Sequence, residues 1–166
     1  MWPYLNKFLN NLILKIFMAD SIINSNLTSA DIVLLGANYD KTSSFGKGSN
    51  KAVSSIKKIL DVQIELYERY TKLTPCKISK IAFKNIPNLN KLAPNMMVEE
   101  VKRNYLDLLN NNKFTILIGG EHSVTNGSIQ AIAEKFKSSD VTIVQLDAHF
   151  DLRNDDSDYK DFKKIQ

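Results

Sequence analysis

Ala30 to Gly36 is an almost unbroken apolar run rich in branched residues, and no other feature narrows the fold as much. A strand with one wet face alternates apolar and polar residues. A run that is apolar at nearly every position suits a strand covered on both sides, as in a parallel sheet. Phe114–Ile118 and Val141–Leu146 repeat the pattern, and Ile78–Phe83 is a further candidate strand. The intervening stretches have helical spacing. Ala52–Tyr70 carries Val53, Ile56, Ile59, Leu60, Ile64 and Tyr67 on one stripe. Asn95 is placed to cap a helix from Met96 to about Asn110, and a last helix runs from about Thr125 to Lys137 with Ile129, Ile132, Ala133 and Phe136 inward. Strands alternating with helices predict an α/β domain whose sheet is mostly parallel.

At 166 residues, with 43% hydrophobic and 24% charged residues, the chain has the balance of one globular domain. Its net charge of +4 is mild. The densest lysine groups, Lys57–Lys58 and Lys77 with Lys80, are too small for a phosphate-tracking stripe, which argues against nucleic acid as a partner. The single cysteine, Cys76, can neither staple the fold nor hold zinc with a second thiol, and suits a reducing, cytoplasmic setting. Residues 1–24 form an amphipathic extension, in which Leu5, Phe8, Leu9, Leu12, Ile13, Ile16 and Phe17 recur at helical spacing. Asn6, Lys7, Asn10, Asn11 and Lys15 interrupt it too often for a bilayer span, so no transmembrane segment is predicted, and the stretch is expected to be either a docking helix or an extension upstream of a start at Met18.

Two loops carry the chemistry. Gly119–Gly120–Glu121–His122 follows the Phe114 strand, and Asp147–Ala148–His149–Phe150–Asp151 follows the Val141 strand. Ligands of open parallel sheets bind at the carboxyl ends of strands, where both segments fall. Paired glycines let the backbone turn sharply and approach what is bound. Asp147 and His149 lie on one side of extended chain, with Asp151 able to swing back over the same point. The chain has two histidines, and both sit in these loops. Imidazole combined with carboxylates and no thiolate suits a divalent ion such as manganese, so His122, Asp147, His149 and Asp151 are the candidate metal ligands. The alternative is that each histidine is a loop residue bonded to a nearby carboxylate. Glu121 and Ser123 are candidate supports that orient His122 or cap the next helix.

These loops resemble those of the ureohydrolase family (arginase, agmatinase and relatives), agmatinase-type members most of all. The likeness extends over about residues 25–153, and the Leu35–Phe45 stretch resembles the family's early strand-end loop. The resemblance implies a three-layer αβα fold of arginase-like type, truncated here. It divides the chain into the extension, an incomplete α/β domain over 25–153, and a charged tail over 154–166. It further implies that His122 holds a first manganese and His149 a second, with Asp147 bridging and Asp151 a further ligand of the first. In such sites two cations acidify a shared water, and the hydroxide attacks a guanidinium carbon. For agmatine the products are urea and putrescine, a step in polyamine biosynthesis. Complete members of the family are expected to be homo-oligomers.

The sequence departs from the family where a later Asp-x-Asp loop would complete the ligand set. Asp147 and Asp151 alone are too few carboxylates to offset two dications, so one firmly held ion or none is expected. Asn38 and Lys47 stand where the family usually has proline, which predicts a looser early loop. The catalytic residues proper stay unassigned. Three readings remain: an agmatinase-like manganese hydrolase of a guanidino compound, a non-catalytic relative that binds metal weakly or serves as a subunit partner, and a family member acting on another substrate such as arginine, guanidinobutyrate or formiminoglutamate.

Overall fold

The computed structural model describes residues 21–62 and 66–149. The amphipathic stripe of residues 5–17, the tail over 154–166, and Asp151 lie outside the described residues.

Three parallel strands form the sheet. β1 (Ile32–Ala37) is central, with β2 (Ile81–Asn85) on one side and β3 (Phe114–Gly119) on the other. The register pairs Ile32 with Ile81 and with Phe114, and Ala37 with Gly119. The central strand is covered on both faces, as its unbroken apolar run predicts. On one face Val33, Leu35 and Ala37 pack into a core with Met97, Val101, Leu108 and Val124. On the other, Val53 Cγ1 sits where a side chain at Gly36 would project, and Leu34 and Ile81 are buried beside it. Fully burying one such aliphatic side chain contributes about 1.5–3 kcal/mol.

Helices supply both outer layers. α1 (Ala52–Val62) lies on the Gly36 face; α2 is the single turn Pro75–Ile78. The opposite face carries α3 (Pro94–Asn110), and α4 (Thr125–Lys135) packs against α3. The result is a three-layer αβα arrangement around a short parallel sheet.

Several boundaries differ from the sequence reading. The helix expected from Ala52 to Tyr70 ends within the described residues at Val62, and Glu68 pairs with Leu73 in an antiparallel bridge farther on. Pro75 starts a helical turn, which delays β2 to Ile81. α3 begins at Pro94, whose fixed φ suits a first helical position, so Asn95 lies inside the helix rather than at its cap. α4 buries Gly127, Ser128 and Ala131, while Ile129 and Phe136 are exposed. Small residues won that stripe because α3 is so close: a Cβ at Gly127 would meet the Val98 carbonyl and Val101 Cβ at 2.7 Å.

The largest correction concerns Val141–Leu146, which the sequence marks as a fourth strand. Its described residues form no strand, and Ile143, Val144 and Leu146 stand exposed. Branched residues favour extended backbone, but a strand exists only where a neighbour completes its ladder. The outer edge of β3 does not take up this segment. No helix among the described residues is long and apolar enough to cross a membrane.

Candidate functional site

The site begins where β1 and β3 end side by side. Beyond Ala37 and Gly119 the backbones remain bonded: the Gly120 amide donates to the Ala37 carbonyl (3.1 Å) and the Glu121 amide to the Tyr39 carbonyl (2.9 Å). That contact requires glycine at 120, because a Cβ there would lie 2.2 Å from the Tyr39 carbonyl oxygen. The paired glycines therefore approach the chain's own Tyr39 peptide. Tyr39 is fully buried, and burial, followed by the charge of Glu121, pushes its phenol above the usual range.

Glu121 holds the two loops together. Its Oε1 accepts the Thr42 amide (3.0 Å), the Thr42 hydroxyl and the Ser123 hydroxyl (3.0 Å). Its Oε2 accepts the Ser43 hydroxyl at 2.9 Å. No side-chain cap bond is made at Glu121, so its carboxylate serves the early loop and not the following helix. A short 3-10 turn, His122–Val124, then leads into α4 and leaves His122 exposed. Gly119, Gly120, Glu121, His122 and Ser128 line a shallow hollow at this end of β3.

The early loop is tied down by a residue whose role the sequence did not disclose. Asp40, only 4% exposed, accepts the amides of Gly48 (2.7 Å) and Asn50 (3.4 Å). The Gly48 amide, together with Asn90, Asn50 and the Lys47 charge, holds the Asp40 carboxyl below the usual range against the cost of burial. Gly48 adopts φ +126°, a conformation that side chains disfavour, and so permits the close turn around the carboxylate. Lys47 Nζ donates to the carbonyls of Asp40 (2.6 Å) and Lys41 (2.7 Å). The loop expected to be loose thus has ties of its own. The only hint in the sequence was the resemblance of Leu35–Phe45 to a family loop.

The second loop is a compact turn. The His149 amide donates to Asp147 Oδ1 (2.9 Å), and His149 Nδ1 lies 3.5 Å from the same oxygen. Asp147 is held below the usual carboxylate range mainly by that amide, aided by the charges of His149 and His122. The His149 side chain is 81% exposed. Imidazole and carboxylate are suitable donors for manganese. Among the described residues, however, no three His, Cys, Asp or Glu side chains gather closely enough to hold a metal. The donor types fit such an ion, while the described arrangement stops short of a closed ligand set.

Comparison with known proteins agrees with the architecture. The family model described as "Arginase family" matches residues 30–164. The chain is 31% identical over 144 residues to N(1)-aminopropylagmatine ureohydrolase from Synechocystis sp., covering 84% of this chain and 46% of that protein. It is 29% identical to agmatinase from Bacillus subtilis, covering 85% of this chain and 46% of the relative. The chain therefore spans about half the length of the curated relatives it matches. Among solved structures, the agmatine ureohydrolase of Thermoplasma volcanium superposes with a TM-score of 0.60 at 26% identity, over 73% of this chain and 41% of that one. The Trypanosoma cruzi formiminoglutamase with Mn2+ shares the fold at a TM-score of 0.61 and 17% identity, over 71% and 41%. With a parallel sheet helical on both faces and a family match running through both histidine loops, this chain belongs to the arginase family.

Proposed function

We propose that this chain provides part of the active site of an agmatinase-like hydrolase, one that cleaves agmatine, a guanidino compound, into putrescine and urea in the cytoplasm. The observation that carries the reading is the arginase-family match over residues 30–164, which spans both of the chain's histidine loops. His122, Asp147 and His149 would be manganese ligands, with Asp151 adding a further carboxylate. When bound, a manganese pair supplies an acidified water for attack on the guanidinium carbon. The chain's own contributions are positional. Glu121 fixes the early loop beside His122, and Asp147 sets the backbone turn that carries His149.

A second reading, a non-catalytic relative that holds metal weakly, is favoured by the lack of any three-donor group among the described residues. Titrating the purified chain with Mn2+ in a calorimeter and assaying urea release from agmatine tests the ligand count and the metal assignment. The expected outcome is at most one firmly bound ion per chain with very slow urea release or none, the missing donors being supplied by further chain in a complete enzyme. Robust urea release with two tightly bound ions would overturn that ligand count. Absence of any Mn2+ binding sensitive to His122→Ala would overturn the metal assignment itself.

A further inference from the structure

One face of the sheet is only partly covered. Ile32, Leu34 and Gly36 of β1 share that face with Phe114, Ile116 and Ile118 of β3, as the register requires. α1 covers the β1 and β2 side: Val53 sits over Gly36, and Lys57 Nζ lies 5.7 Å from the Phe83 ring centre. Lys57 and Asp61, joined at 2.6 Å, mark the flank of α1 that faces β2. At 100° per residue, Ile56 and Ile59 fall on the opposite flank, toward β3. There Phe114 is 67% and Ile116 43% exposed, and Ile59, on that flank of α1, is 47% exposed. These side chains form an apolar trough floored by β3 and walled by α1.

We propose that residues 5–17 of this chain dock as a helix in that trough. Ser21, the first described residue, donates its hydroxyl to Asp61 at 3.5 Å. The amides of Asn24 and Ser25 bond the Ile81 carbonyl, so the chain enters at the amino-terminal ends of the strands, below α1. From β2 to β3 is two strand spacings, about 10 Å. The three residues 18–20 reach about 10 Å when extended. Thirteen helical residues are about 20 Å long, and the six residues of β3 also span about 20 Å. The stripe of Leu5, Phe8, Leu9, Leu12, Ile13, Ile16 and Phe17 offers the apolar face that such a seat requires. The family match starts at residue 30, so this segment lies outside it.

The test uses the full chain with Cys76→Ser and a reporter thiol at Ile116→Cys, and follows its labelling by a maleimide. Labelling should be at least 10-fold slower than in the same chain carrying Leu9→Asp and Ile13→Asp, and unchanged by Asn6→Asp with Asn10→Asp on the polar side. Equal rates would overturn the proposal. So would protection that grows with protein concentration, which identifies a second copy as the occupant. Protection lost on adding phosphatidylglycerol vesicles would assign the segment to a lipid surface and overturn it as well. Should the Asp variant lose its far-UV signal, a short bis-maleimide on Leu12→Cys with Ile116→Cys decides. A cross-link within one chain supports docking; none, or one only between chains, refutes it.

Discussion

Glu121 and Thr42 are 79 residues apart in sequence, yet the Glu121 carboxylate accepts both the amide and the hydroxyl of Thr42. Through that contact the loop after β1 and the histidine loop after β3 form one unit. Four donors from Thr42, Ser43 and Ser123 share the two oxygens. Hydrogen bonds to a charged group contribute more than neutral ones, about 1.5–3 kcal/mol where burial is good. Glu121→Ala should therefore lower the unfolding free energy in urea by about 1–3 kcal/mol. Glu121→Gln, which keeps one acceptor oxygen, should cost less. Equal midpoints for wild type and Glu121→Ala would show that the clamp adds nothing.

Gly120 offers a sharper steric test. Its added Cβ would meet backbone, which cannot rotate away as a side chain can. Gly120→Ala should cost about 2–3 kcal/mol, in the range of overpacked interiors. Gly46→Ala is the control, since nothing lies within 4 Å of its Cβ position, and should stay within about 0.5 kcal/mol.

Asp40 ties stability to acid pH. Its folded-state carboxyl titrates below the ordinary aspartate value of about 3.9, chiefly because it accepts the Gly48 amide. The stabilisation is fully present above that ordinary value and is lost as pH falls through the lower folded one. Asp40→Asn should thus be less stable than wild type at pH 7, with the gap closing below about pH 4. Urea midpoints at pH 7, 5, 4 and 3 measure this; a gap that widens in acid would reverse the sign.

Asp147 orders the turn that carries His149. On the proposed metal reading, Asp147→Ala removes both a donor and this turn. Manganese affinity, read by calorimetry, should fall about 10–100-fold or beyond detection, as for ligands that lose their orienting partners. Unchanged affinity would place the ion elsewhere.

The sequence revealed most where one stretch of chain carried the whole signal. β1 and β3 declare themselves because each is apolar along its length, and both stand where the pattern puts them. Val141–Leu146 carries the same signal without becoming a strand, since pairing depends on a neighbour that residue type does not encode. α4 misled for a related reason: its large apolar residues suggested the inward face, but proximity to α3 selected Gly127, Ser128 and Ala131. At the site, the two histidine loops were legible as short motifs. The clamp was not, because its halves are nearly eighty residues apart and consist of ordinary Thr, Ser and Glu. Asp40 was hidden likewise, its partners set by the path of the loop.

With the Gly120 α-carbon resting on the Tyr39 peptide, the ends of the first and third strands are effectively one moulded piece. A chimera that borrows either loop from a relative inherits a surface cut to fit a different partner. Segments 37–50 and 119–124 must be exchanged together for such a graft to fold, and natural drift in one is answerable to the other.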